Sequence, residues 1–142
     1  MSRALFVIFV FLASSAQAQN RALLLFGGEG HKAFLGCLNC GKYDSGSVCN
    51  KYGDNGSKYS NNSIWNKYSD FGGKYSDYSP WNRYASSPPA IVDRDGAFYG
   101  YLTANKYASK RTQIKVLIAL TELSEEITND PEPIADRFCG RD

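Results

Sequence analysis

The chain has 142 residues and a formal net charge of +2, with 16 basic against 14 acidic side chains. One domain is the natural reading of that length. The near-balanced charge excludes a strongly basic nucleic-acid binder, and the length excludes a large multidomain enzyme.

Chain order begins with Arg3, the apolar run Ala4–Ala13 and then Ser14-Ser15-Ala16-Gln17-Ala18. A basic residue, a short apolar stretch and an Ala-x-Ala site predict a secretory signal peptide over 1–18, cleaved after Ala18. The run is too short to span a bilayer. A single exported domain over 19–142 is expected, periplasmic or secreted. Leu, Ile, Val and Phe number only 23 in that segment, while ten Tyr and two Trp supply buriable area.

Such a thin aliphatic core benefits from cross-links. Cys37, Cys40, Cys49 and Cys139 all lie in the exported part. An even count in an oxidising compartment predicts two disulfides. A Cys37–Cys40 bridge would close a very tight loop, so each of these two is expected to reach to Cys49 or Cys139. A four-thiolate zinc site and a redox-active Cys37/Cys40 pair are the rival readings. A second Cys-x-x-Cys, the mark of a zinc site, is missing, and no metal or cofactor is expected.

Before the middle of the chain, Ala22–Phe26 and Ala33–Leu38 flank Gly27-Gly28-Glu29-Gly30-His31-Lys32, which predicts a β-hairpin. Residues 42–84 then carry three gapless copies of a 16-residue unit, starting at Lys42, Lys58 and Lys74. Tyr43, Tyr59 and Tyr75 fill the second position of each copy, and Tyr52, Tyr68 and Tyr84 the eleventh. Ser47, Ser63 and Ser79 are placed as N-caps of a single helical turn, and Pro80 suits a first helical position. Asn50, Asn66 and Asn82 are expected to end that turn in a left-handed conformation, and Gly56 and Gly72 to supply positive φ. The eighth position reads Cys49, Trp65, Trp81, residues that share a preference for burial, so it is expected to face inward. The tyrosines are expected to form a ladder, with Lys stems lying over the rings.

After the repeat, Ala90–Val92 and Ala97–Thr103 flank Asp93-Arg94-Asp95-Gly96, a second hairpin signal. The two hairpins are expected to pair into one antiparallel sheet with the repeat as an insertion. A C-terminal segment, 109–142, is read as a helix over Ser109–Asn129 with an acidic tail. The helix rests on Val116, Leu120, Leu123 and Ile127. Asp130-Pro131 breaks it, and a last turn runs to Phe138-Cys139 with Gly140 as its stop. The fold class is thus α+β: a small antiparallel sheet of hairpins, an inserted repeat of turns and a C-terminal helix, stapled by disulfides.

Catalytic constellations are scarce. His31 is the one histidine and is read as an exposed turn residue. Gly27-Gly28-Glu29-Gly30 lacks the Lys-Ser/Thr of a phosphate loop. Asp93-x-Asp95-Gly96 lacks the later ligands of a calcium loop. Asp54 and Asp70 are in register but meet Ser86 in the third copy, which argues against a calcium ladder. Six cations against four acids over 42–84 give too small a surplus to drive single-stranded nucleic-acid binding.

The strings Phe34-Leu-Gly-Cys37-Leu-Asn-Cys40, Ser63-Ile-Trp65-Asn66-Lys-Tyr68, Tyr78-Ser-Pro-Trp81-Asn82-Arg-Tyr84 and Val92-Asp-Arg-Asp-Gly96 through Tyr101 resemble a family of small exported bacterial proteins of unassigned function. Similar repeats accompany thermonuclease-like domains. The resemblance covers about residues 22–105 and implies no catalytic residues, and nothing here matches that nuclease's Arg/Glu segment. The expected function is therefore non-enzymatic: binding an envelope glycan or protein through Tyr43, Tyr52, Tyr59, Tyr68, Tyr75 and Tyr84 with Asn50, Asn66 and Asn82. Trp65 and Trp81 serve as structural residues. The alternatives are a purely structural, disulfide-stapled accessory domain and an enzyme of unknown type.

Overall fold

A computed structural model describes residues 21–141; the expected signal peptide lies outside them. The two glycine-turn hairpins form as their sequences predict. Strands β1 (Leu24–Gly27), β2 (Ala33–Cys37), β3 (Ala90–Val92) and β4 (Phe98–Tyr101) make one antiparallel sheet of order β2-β1-β3-β4. In β1–β3 pairing Leu25 faces Ile91, joining the two hairpins across the repeat. Leu25, Leu35, Ile91 and Leu102 are wholly buried, with Val48 and Ile64 of the repeat. No helix among the described residues is long and apolar enough to cross a membrane.

The second hairpin is locked by one side chain. Asp93 Oδ1 accepts the backbone N–H groups of Asp95 (2.9 Å) and Ala97 (3.0 Å), and Oδ2 accepts the Tyr99 hydroxyl (2.8 Å) and Arg21 (3.1 Å). This is an Asx turn closing a strand pair, and it uses every acceptor the Asp93 carboxylate has. The Tyr99 hydroxyl first, then the amides and Arg21, hold the Asp93 carboxyl at about 2 against an ordinary 3.8, although burial works the other way. A depressed folded-state value gives stability that is complete above the ordinary value and is lost as pH falls from roughly 4 toward 2. Asp93→Asn is expected to flatten the acid limb of stability measured by urea unfolding between those pH values. An unchanged acid limb in the variant would refute this role.

Three helices follow: α1 (Lys115–Glu122), α2 (Ser124–Asn129) and α3 (Pro131–Cys139). Helical structure begins six residues later than the apolar spacing predicts. Residues 110–112 instead cap the outer edge of β4, through Tyr101 N–H to Lys110 O and Thr112 N–H to Tyr101 O, and Lys110 takes φ 58°. The expected single helix is also broken at Leu123, whose N–H bonds to Leu120 and Thr121. Pro131 opens α3, where its missing N–H costs nothing, and Gly140 in the left-handed region ends it.

The disulfide pairing differs from the expectation. Cys37 pairs with Cys40 and Cys49 with Cys139, so none of the four is left as a thiol for zinc. The chain turns directly after β2, bringing the Cys37 and Cys40 Cα atoms to 5.5 Å, well within bridging range. The tight loop is thus a β-turn closed by sulfur. Cys49–Cys139 ties the first copy of the repeat to the end of α3.

Candidate functional site

The repeat is a spiral of β-turns in which nearly every third residue starts a new turn. Amides bond back three residues from Asp44 to Gly41, Ser47 to Asp44, Asn50 to Ser47 and Gly53 to Asn50, and the pattern recurs sixteen residues on. A period of three does not divide sixteen, so each copy absorbs one extra residue. It does so at Ser57, whose N–H reaches Gly53 O, and at Gly73, whose N–H reaches Ser69 O. The expected helical turns are therefore absent, although Ser47, Ser63 and Ser79 do accept the N–H two residues on (2.9, 3.1 and 3.1 Å). Short Ser and Asn side chains compete with helical bonding in this way and favour turns instead.

Two local expectations are corrected. Gly56 and Gly72 have no positive φ. Their backbones pass so close to the Asn50 and Asn66 carbonyls that an added Cβ would sit 2.0 and 2.2 Å from those oxygens. Glycine is required there by contact, not by dihedral angle. Asn50, Asn66 and Asn82 are not left-handed either. Each Oδ1 accepts the N–H of the tyrosine two residues on, and each Nδ2 donates to the carbonyl six residues back, at Asp44, Ser60 and Ser76. With both ends of the amide engaged inside the fold, these asparagines build the turns and offer little to a ligand.

Modules stack through the eighth position. Trp65 and Trp81 are 1% exposed, with ring centroids 5.7 Å apart and planes inclined by 20°. Each indole N–H donates to the preceding module, Trp65 to Val48 O (2.8 Å) and Trp81 to Ile64 O (2.6 Å). The pattern closes on the sheet at both ends: Val48 N–H bonds to Cys37 O at the edge of β2, and Ala104 N–H to Pro80 O just past β4.

The Lys-Tyr and Arg-Tyr pairs occupy the two central positions of their turns, which point away from the spiral. Tyr43, Tyr52, Tyr59, Tyr68, Tyr75 and Tyr84 are consequently 80–87% exposed. The expected ladder does not form: among the described residues no two of these rings stack. In five pairs the lysine ammonium lies over its neighbour's ring, 5.3–5.7 Å from the centroid, leaving the other face open.

One such pair escaped the sequence reading. Asn105-Lys106-Tyr107 repeats the bonds of Asn66-Lys67-Tyr68: Tyr107 N–H donates to Asn105 Oδ1 and Ala108 N–H to Asn105 O. Thr103 Oγ1 accepts from Asn105 N–H, the same two-residue reach that Ser63 makes to Trp65 N–H but shifted by one residue relative to the asparagine. Tyr107 is 92% exposed. The tripeptide Asn-Lys-Tyr was the available signal, hidden because β3 and β4 intervene.

These tips meet the helices along a seam with clefts on either side of the Tyr68–Tyr75 step. The first lies between Tyr52 and Tyr59 with Glu132 of α3, the second between Tyr59 and Tyr68 with Asp130. The third lies between Tyr75 and Tyr84 with Glu125 of α2, and the fourth between Tyr84 and Tyr107 with Glu122 of α1. Their volumes run from about 240 to about 540 Å³. Two ion pairs cross the seam, Lys58–Glu132 (2.8 Å) and Arg83–Glu125 (3.3 Å), and Lys67 donates to Asn129 O at the end of α2. Glu132 raises the Lys58 ammonium above its ordinary value, chiefly through that hydrogen bond.

The remaining candidates for chemistry lie elsewhere. His31 is half-buried, its Nε2 3.0 Å from Pro88 O. Among the described residues no three His, Cys, Asp or Glu side chains gather to hold a metal ion. Comparison with family models, curated proteins and solved structures finds no match to this chain.

Proposed function

We propose that this is a non-enzymatic exported domain that binds an envelope glycan or a protein through the tyrosine tips of its turn spiral. The observation that carries the reading is the row of seven tyrosines, each at least 80% exposed and five of them held by an Asn or Ser side chain two residues back, in a domain that buries both tryptophans. Exposed aromatic surface of this extent marks interaction sites. Turn geometry fixes the tips in advance, so little ordering opposes binding. The two disulfides accord with an oxidising compartment, and the resemblance to small exported proteins points the same way.

The test is retention on insoluble cell-wall polysaccharide and on envelope protein extracts. Tyr59→Ala/Tyr75→Ala is expected to weaken retention at least tenfold, about 1.4 kcal/mol, with unchanged thermal stability because both rings are solvent-exposed. Undiminished retention in that variant would remove the tyrosine surface from the function.

A further inference from the structure

We propose that a cleft around His31 binds a neutral sugar unit. The inference rests on the glycan arm of the binding role above and adds a subsite apart from the seven tyrosine tips. The cleft has a volume of about 320 Å³ and is walled by stretches of chain that only the fold brings together. They are the first hairpin's turn at His31, the run Ala85–Pro88 leading out of the third module, Tyr101 at the end of β4, and Asn105–Ser109. Asn105 Nδ2 donates to Ala85 O (3.0 Å), tying two of these stretches to each other. The chain neighbours Tyr84–Ala85 and Tyr107–Ala108 set this cleft beside the one between the Tyr84 and Tyr107 tips.

His31 is held in place at a cost. Its φ of 54° lies in the left-handed region, which a residue with a β-carbon rarely adopts, and strain of this kind gathers at functional sites. Its ring lies 5.7 Å from that of Tyr101, inclined by 36°. Nε2 is 3.0 Å from Pro88 O; a carbonyl only accepts, so Nε2 carries the hydrogen and Nδ1 of the neutral ring is left as an acceptor. Among the described residues Nδ1 has no partner, and no buried side-chain nitrogen or oxygen lacks one, so Nδ1 is open to solvent on a residue that lines the cleft. The Ser86, Ser87 and Ser109 hydroxyls line it too, without protein partners among the described residues. Asn105 is spent, its Oδ1 on Tyr107 N–H and its Nδ2 on Ala85 O. No Asp, Glu, Lys or Arg faces the cleft. An ionic ligand would therefore meet no counter-charge, and a wholly apolar one would strip water from an imidazole and three hydroxyls without replacing it. A neutral ligand with several hydroxyls fits this inventory: one donates to Nδ1, others exchange bonds with the serines, and a C–H face rests on Tyr101 and Pro88.

His31 is the one histidine of the chain, so nitrogen NMR of the labelled exported domain reads its imidazole without ambiguity. Five probes are titrated: the methyl glycosides of glucose and N-acetylglucosamine, anionic galacturonate, cationic glucosamine, and cyclohexanol as an apolar ring. At least one neutral glycoside is expected to shift Nδ1 saturably, with a midpoint in the millimolar range, and the other three probes to bind at least tenfold more weakly. Asparagine tolerates the left-handed region, so His31→Asn keeps the turn and is expected to weaken the glycoside at least tenfold in calorimetry. Ser87→Ala/Ser109→Ala leaves the His31–Pro88 bond in place and is expected to weaken it at least threefold. Tightest binding of galacturonate, glucosamine or cyclohexanol would overturn the neutral-sugar reading, and undiminished binding in both variants would overturn the site. No saturable shift with any sugar, while Tyr59→Ala/Tyr75→Ala still loses retention on polysaccharide, would overturn this subsite and leave the proposed function standing. No shift together with undiminished retention in that variant would overturn both.

Discussion

Trp81→Ala is expected to lower the unfolding free energy by about 4–5 kcal/mol, measured by urea or heat. Replacing a buried tryptophan by alanine removes about 3–5 kcal/mol of transfer and cavity energy. The stacked partner Trp65 loses an aromatic contact worth about 0.5–1.5 kcal/mol, and the Ile64 carbonyl loses its donor in a buried site. A domain of this size has roughly 5–15 kcal/mol in total, so the variant should melt on the order of 15 °C lower. Trp81→Phe isolates the hydrogen bond. It retains most of the ring and should cost about 1–3 kcal/mol for the unmet carbonyl. A loss below 2 kcal/mol for Trp81→Ala would mean that the modules are not held together by their indole stack.

Removing the two disulfides is expected to give unequal losses. The Cys49–Cys139 bridge spans 90 residues and the Cys37–Cys40 bridge only 3. In the chain-entropy account the long loop contributes about 4–5 kcal/mol and the short one about 2 kcal/mol. Cys49→Ala/Cys139→Ala should also free the end of α3, since Arg141 donates to Cys49 O and Phe138 packs 6.3 Å from Trp65. Hydrogen exchange in α3 reports that release separately from global unfolding. Equal losses from the two double variants would contradict the loop-length argument.

Much of the architecture was legible in the residues. The glycine turn at 27–32 and Asp93–Gly96 announced both hairpins, and their pairing followed from the lone apolar runs beside them. The interchange of Cys49, Trp65 and Trp81 at one position gave an inward direction that the buried indoles now fill. What stayed hidden depended on contacts between distant segments or on bonding choices that composition leaves open. Asn66 and Asn82 read as polar groups available to a ligand, yet both ends of each amide are engaged within the spiral. Gly56 and Gly72 read as turn glycines, because their closeness to Asn50 and Asn66 exists only once the spiral is wound. The Cys37–Cys40 pair followed from a reversal directly after β2 that loop length alone argued against. Within the seam, five of the six tyrosines were readable from the repeat. Tyr107 and the acids Glu122, Glu125, Asp130 and Glu132 were not, because they come from segments that only the folded chain brings alongside.

The two ends of the spiral attach to opposite margins of one small sheet, at Cys37 and at Ala104. Module number is therefore not free to drift as it is in an open solenoid, where coils add at a loose end. The sheet acts as a gauge that admits three copies and the Asn105 remnant. A chain carrying a fourth full copy would have to splay its hairpins or add strands between them, so growth of the repeat and growth of the sheet are coupled.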